Sequence, residues 1–559
     1  MTTATTTPAA DVAAPLDSLL VEAASGPYRR FVPDASTAKF VGSILIHPRR
    51  TGARVADLAK ELGRIGIGTS SIAPSKRDRR FTDPAWTQNP LLRRLVQGYL
   101  AAGKTAESLV ADSGLGWRDG ERVGFLVENL IAALSPSNVP LVNPSSAKVA
   151  IDTAGMSLIH GGEAFLRDMA SAPRIPEMVD GSGFRLGENV AATPGDVVHR
   201  TDIVELIRYR PQTEQVRQVP LLIVPPTINK YYALDLAPDR SLIEYLVRQG
   251  QQVYVISWRN PDARHAGWGL DTYVQAVIDT LDVVQRTSGS EQAALTGVCS
   301  GGIIASLAAA RLAATGRQDR LAAFTLLVTV LDSRQSGTTS ALIDENLASA
   351  AKAASARRGY LDGRALAEVF AWLRPGDLIW NYWVNNYLLG QKPPAFDILF
   401  WNADTTRMPA KLHADFVDFG LQNKITRPGA LSVLGSPVDL SQLKVDAYVV
   451  AGSADHITPW QNCYRSTGLL GGTTRFVLST SGHIAALVNP PTNPKASFQT
   501  GEETPADPQQ WQATAHTHKG SWWPDYDAWL ADRCGPTVDA PQFVGEPLAP
   551  APGTYVFEK

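Results

Sequence analysis

The chain runs to 559 residues, 44% of them hydrophobic and 19% charged, with a formal net charge of −2. That near-neutral balance gives no reason to expect a nucleic-acid partner, and the length is ample for a large core. Three widely spaced cysteines make neither a disulfide framework nor a paired-thiolate metal site, so a reducing compartment is expected; the nine scattered histidines form no metal-binding pattern, and no metal is expected.

The opening MTTATTTPAADVAAPLDSLL has no early basic residue and no leader-like apolar segment. No stretch reaches the roughly 18 uncharged apolar residues that cross a bilayer, so a cytoplasmic chain without a transmembrane segment is expected. Residues 1–35 are predicted to be a disordered N-terminus, Ala/Thr-rich at its start. Residues 36–190 are predicted to form a mostly helical N-terminal domain, on the apolar spacing of NPLLRRLVQGYLAAGKTAESLVA (89–111) and VGFLVENLIAALS (123–135). Within it, KFVGSILIHPRR (39–50) reads either as a core helix or as an amphipathic surface contact.

The texture changes near residue 191. IVELIRYRP and VPLLIVPP (219–226) read as strands, DRSLIEYLVRQG (239–250) as a helix ending on Gly250, and QQVYVISW (251–258) as a strand. A helix over 271–289, a strand over 293–298, an Ala-rich helix over 303–316 and a strand over 323–332 follow. Strands alternating with helices of this length predict a parallel sheet covered on both faces. The alternation stops over 333–435, which holds the aromatic stretches FAWLRPGDLIWNYWVNNYLLG (370–390) and FDILFW (396–401), and resumes at 446–452 and 474–480. The expected fold class is α/β: an α/β-hydrolase domain over 191–559 with a cap insertion at about 333–435, preceded by the helical domain.

Three residues of that sheet carry a chemistry. LTGVCSGG (295–302) centres Cys299 in a Gly-x-Cys-x-Gly turn between strand and helix, the context of a nucleophile elbow. The turn needs small neighbours, which Gly297 and Gly301 supply. Asp455 follows the strand over 446–452, and His483 follows the strand over 474–480, so nucleophile, acid and histidine fall in the order this fold imposes. His483 would take the proton of Cys299, and Asp455 would orient the imidazole. The backbone N–H of Ser300 is one expected oxyanion donor, and the loop Pro225–Asn229, at Ile228, is expected to supply the second. His456 is a rival base, but it sits on the acid's own loop and reads as a packing residue. Cys463 and Cys534 lack the glycine elbow and read as structural.

A thiol at the elbow favours transfer over hydrolysis. Its reference pKa, roughly 8.5, makes the nucleophile cheaper to form than an alkoxide. Passing an acyl group from one thioester to another is nearly energy-neutral, and the acyl-cysteine stays activated for an alcohol, provided a cap excludes water.

Strings from DRRFTDPAWTQNPL (78–91) to APGTYV (551–556) resemble the polyhydroxyalkanoate synthases, single-subunit type. Among them are VPPTINKYYALDLAPDRSL (224–242), GVCSGG (297–302), FDILFWNADTTR (396–407), DHITPW (455–460) and SGHIAALVNPP (481–491). The resemblance implies polymerisation of (R)-3-hydroxyacyl-CoA into polyester with release of CoA, and its triad falls on Cys299, Asp455 and His483. It further implies a homodimer, no cofactor, and a place at the surface of polyhydroxyalkanoate granules beside the growing polyester chain and other granule proteins. WNYWVNNYLLG and FDILFW resemble medium-chain enzymes, whereas Ala485 and Thr329 resemble short-chain ones; the expectation is short-chain or mixed specificity. Thr329, Phe396, Trp401 and Ala485 are the substrate-pocket candidates. The rival readings are a polyester depolymerase or acyl-CoA thioesterase of the same fold, which would release free acid, and a non-catalytic granule scaffold.

Overall fold

The computed structural model describes residues 16–26, 34–76, 78–334, 345–542 and 545–559. The described residues of 34–170 are mostly helical, and the helix boundaries follow capping chemistry. Beyond α1 (Leu16–Ser25), α2 (Ala35–Ile46) starts on Asp34, whose carboxylate accepts the N–H groups of Ser36 and Thr37. Pro48 opens α3 (Pro48–Ile67), which closes on Gly68 in the left-handed region at φ 80°. Segment 39–50 is therefore two helices meeting at His47. α4 (Pro90–Ala111), capped by Asn89, α5 (Trp117–Ala133), α6 (Pro144–Asp152) and α7 (Met156–Ala170) complete the region.

The large sheet has eleven strands: β1 (Gly195–Arg200), β2 (Val204–Tyr209), β3 (Leu221–Val224), β4 (Val253–Trp258), β5 (Ala293–Val298), β6 (Leu321–Leu327), β7 (Ala447–Gly452), β8 (Thr474–Ser479), β9 (Ser497–Thr500), β10 (His516–Lys519) and β11 (Ala549–Pro550). Their order is β10-β9-β8-β7-β6-β5-β3-β4-β2-β1-β11. The run β4-β3-β5-β6-β7-β8 is parallel, and antiparallel strands extend it at both edges. Successive residues of one strand feed opposite cores: Leu222 and Val224 pack on one face of the sheet, Leu221 and Ile223 on the other. β6 ends at Leu327, short of the predicted 332, because Val328 takes φ 44° and turns the chain.

α8 (Leu242–Arg248), α9 (Leu270–Ser288) and α10 (Ser300–Ala314) cover the sheet. α10 is buried nearly all round, which its alanines at 305, 308, 309 and 310 permit by letting neighbours approach closely. Between β6 and β7 the described chain adds no strand to the large sheet. It forms α11 (Glu345–Arg358), α12 (Gly363–Leu373), wide π-helical turns over Gly376–Trp380 and Trp383–Leu388, and α13 (Ala410–Gln422). The N-terminal helices dock on this insertion: Phe165 of α7 meets Trp383 and Tyr387 edge-on, and Tyr387 donates to Asp168 at 2.8 Å.

The predicted disorder of residues 1–35 needs correction over 16–25. Leu19, Leu20 and Val21 of α1 are fully buried against α11, α12 and α13, and His413 Nε2 lies 3.1 Å from the Leu20 carbonyl. A three-residue apolar run suffices because the insertion supplies a preformed apolar face. Residues 1–15 and 27–33 of that expectation lie outside the described residues.

Candidate active site

Cys299 sits between β5 and α10 with φ 51° and ψ −121°, a strained conformation for a residue with a side chain. Its N–H bonds the Leu327 carbonyl at 2.9 Å, and its carbonyl accepts from Gly302 at 2.9 Å. The glycines around it are obligatory on steric grounds. A Cβ on Gly297 would fall 2.5 Å from Gly302 Cα, one on Gly301 2.2 Å from the Pro225 carbonyl oxygen, and one on Gly302 2.0 Å from Thr329 Oγ1.

Asp455 and His483 follow β7 and β8, at the carboxyl ends of parallel strands like Cys299. The two loops are stitched together: Ser453 N–H donates to the Ser479 carbonyl at 2.7 Å and Ala454 N–H to the Ser481 carbonyl at 3.1 Å. Gly452 lets them meet, since a Cβ there would lie 2.4 Å from the Ser481 oxygen. His483 Nδ1 is 2.7 Å from Asp455 Oδ2. Asp455 also accepts the N–H groups of Ile457 at 2.8 Å and Thr458 at 2.9 Å, and the Thr458 hydroxyl at 2.6 Å.

Burial alone would lower the His483 pKa; the Asp455 carboxylate, then the Cys299 sulfur, outweigh it and push it up to about 10. Burial likewise works to raise Asp455, but the His483 charge and the hydrogen bonds it accepts hold it below the ordinary carboxylate range. The imidazole is thus bonded to the carboxylate, and the elbow sulfur is among the groups that favour its charged form.

Ser300 Oγ is fully buried and accepts the Thr227 N–H at 3.0 Å, fastening the β3 loop to the start of α10. Pro225 and Pro226 have no N–H and that of Thr227 is committed, which leaves Ile228 and Asn229 as the donors of the loop. Thr329 lies directly beneath the elbow, its hydroxyl 3.3 Å from the Cys299 carbonyl. Trp401 is buried in the same core as Cys299 and donates its indole N–H to the Lys230 carbonyl at 2.7 Å. Phe396 is 43% exposed beside the Arg240 guanidinium, and Ala485 is exposed in the short helix His483–Leu487. His456 is half-buried, and Cys463 and Cys534 are fully buried. Among the described residues no group of three His, Cys, Asp or Glu side chains could hold a metal ion.

A family profile described as the N-terminus of poly-beta-hydroxybutyrate polymerase matches residues 77–246, and an alpha/beta hydrolase fold profile matches 220–490. Poly(3-hydroxyalkanoate) polymerase 1 of Ectopseudomonas oleovorans is 46% identical over 516 residues, 92% of this chain and 92% of that one. The chain belongs to the poly(3-hydroxyalkanoate) polymerase family. Polymerase 2 of the same organism is 45% identical over 519 residues, covering 92% of each chain, and the polymerase subunit PhaC of Cupriavidus necator is 41% identical over 507 residues, covering 88% of this chain and 85% of that one.

In this family member, sequence reasoning passed over two groups at the site. Thr458 lies inside DHITPW, where the Asp-x-x-Thr spacing is a turn signal that could have marked it. Lys230 and Asp404 face each other at 3.5 Å behind the β3 loop, but nothing in their sequence separation pairs them.

Proposed function

We propose that this polymerase works by acyl transfer through Cys299, with His483 as base and Asp455 as its orienting acid. The observation that carries the reading is an imidazole held 2.7 Å from a buried carboxylate, its charged form favoured also by the sulfur of a strained strand–helix turn. His483 Nε2 takes the thiol proton, and Cys299 Sγ attacks the thioester carbon of a (R)-3-hydroxyacyl-CoA. Charge builds on the carbonyl oxygen opposite the N–H groups of Ser300 and Ile228. The carbon–sulfur bond to CoA breaks, the CoA thiolate takes the proton from Nε2, and an acyl-cysteine remains. The 3-hydroxyl of a second hydroxyacyl group then gives its proton to Nε2 and attacks that acyl carbon. The Cys299 thiolate leaves, an ester bond has formed, and the chain is one unit longer.

Two features support transfer to an alcohol over loss to water. Cys299 is only 9% exposed, and the Thr406 hydroxyl of the insertion reaches the Thr227 carbonyl at 3.3 Å, so the insertion overlies the β3 loop. Incubating the purified protein with (R)-3-hydroxybutyryl-CoA tests this: free thiol and turbidity should rise together. Thiol release with free 3-hydroxyacid and no turbidity would point to a hydrolase.

The reading extends to granules and to a homodimer. Large apolar side chains are exposed along the N-terminal helices, with Leu45 at 72%, Ile67 at 76% and Ile151 at 79%. Such a concentration fits contact with polyester, granule proteins or a second copy. Charged replacements at Leu45, Ile46 and Ile67 should release the protein from granules with the acylation rate unchanged. On chain length the reading is short-chain or mixed, and relative kcat/KM for 3-hydroxybutyryl-CoA and 3-hydroxyoctanoyl-CoA decides it; clear preference for the longer substrate would contradict it.

A further inference from the structure

The Asp455 side chain is wholly buried, so each of its oxygens needs donors from the protein. Oδ1 takes the N–H groups of Ile457 and Thr458; Oδ2 takes the Thr458 hydroxyl at 2.6 Å and faces His483 Nδ1 at 2.7 Å. Thr458 Oγ1 is also 3.1 Å from His483 Nδ1. The hydroxyl proton is spent on Asp455, so what Oγ1 turns towards the ring is a lone pair. Two acceptors therefore converge on Nδ1, which must carry a proton, and Nε2 is left as the basic nitrogen for Cys299.

We propose that Thr458 is a positioning residue for acyl transfer: its hydroxyl fixes the His483 tautomer and ring plane by completing a two-acceptor seat for Nδ1–H. The inference rests on the triad reading above. Thr458 is itself held in place. Its carbonyl accepts from the buried Cys463 thiol at 3.6 Å, and Pro459 follows it into the helix Trp460–Arg465. Burial pushes the Cys463 thiol far up, so it stays a neutral donor. The ionisable groups acting on the Asp455–His483 pair are Cys299 from the elbow and Cys463 from that helix, with His456 next along the loop.

The hydroxyl also stabilises the Asp455 carboxylate, so its removal should raise the pH at which Asp455 protonates. Acylation is followed across pH as single-turnover CoA release from (R)-3-hydroxybutyryl-CoA. Thr458→Val should cut the rate by about ten- to a hundredfold, the usual worth of a hydrogen bond to a charged group, and move the acid limb to higher pH. Thr458→Ala, which carries no β-branch, should do the same, and Thr458→Ser should restore most of the rate and the original limb. Thr458→Val with the wild-type rate and profile would overturn the inference, as would equal impairment by valine and serine with an unmoved limb. Cys299→Ala and Asp455→Asn run alongside. If either keeps the wild-type rate, the triad reading fails and takes this inference with it; if both are inactive while Thr458→Val is not, the triad stands and Thr458 has no positioning role.

Discussion

Lys230 and Asp404 face each other at 3.5 Å, almost wholly buried, one at the end of the β3 loop and the other in the insertion between β6 and β7. Asp404 also accepts from the Tyr232 hydroxyl at 2.9 Å and from Lys559 Nζ at 2.8 Å, while Lys230 Nζ donates to the carbonyls of Val556 and Glu558. One ion pair thus ties together the loop that carries Ile228, the insertion and the C-terminal segment.

Asp404→Asn strands the Lys230 ammonium without its carboxylate. Breaking a buried pair from one side costs roughly 3–5 kcal/mol, whereas replacing both partners with apolar groups is often nearly neutral. Asp404→Asn should therefore lower the unfolding midpoint and the acylation rate, and Lys230→Met combined with Asp404→Leu should recover much of the stability. Thermal unfolding of the three proteins checks this.

Gly301→Ala should displace the β3 loop, because its new Cβ would fall 2.2 Å from the Pro225 oxygen. Backbone on backbone cannot relax cheaply, so a loss of about 2–4 kcal/mol and of CoA release is expected. Gly42→Ala is the matched control: it lies in α2 with nothing within 4 Å of the added carbon. Ala there should stabilise by about 0.5–1 kcal/mol.

His413 supplies a pH test of how α1 is held. It is buried, and burial pulls its pKa from 6.5 down to about 4, with the Leu20 carbonyl opposing and Lys352 adding slightly. A histidine depressed in the fold binds its proton more readily once unfolded. Stability is therefore complete above pH 6.5 and declines as pH falls towards 4, by about 3 kcal/mol in all. His413→Leu should flatten that part of the stability–pH curve, measured by chemical denaturation at successive pH values.

The parallel strands were legible in the sequence because a strand covered on both faces is a continuous apolar run, as in LLIV of β3 and AALTGV of β5. The edges were not. All four residues of β10 are exposed and carry no apolar pattern, and β1 pairs antiparallel with β2 with no helix between them. α1 escaped notice because its partners lie more than 300 residues away, in α11 to α13. Cys299, Asp455 and His483 could be placed from strand ends alone, since the fold delivers strand ends to one place. Thr458 and Lys230 act through distances of a few ångströms that emerge only after folding.

The sulfur at 299 bears the account most directly. Cys299→Ser keeps the elbow's shape but replaces a thioester intermediate with an oxygen ester, a poorer acyl donor to an alcohol. Wild-type and Cys299→Ser proteins, given (R)-3-hydroxybutyryl-CoA, are compared for CoA release and turbidity. The serine protein should release CoA slowly and make no detectable polyester; polyester formed at the wild-type rate would contradict the account.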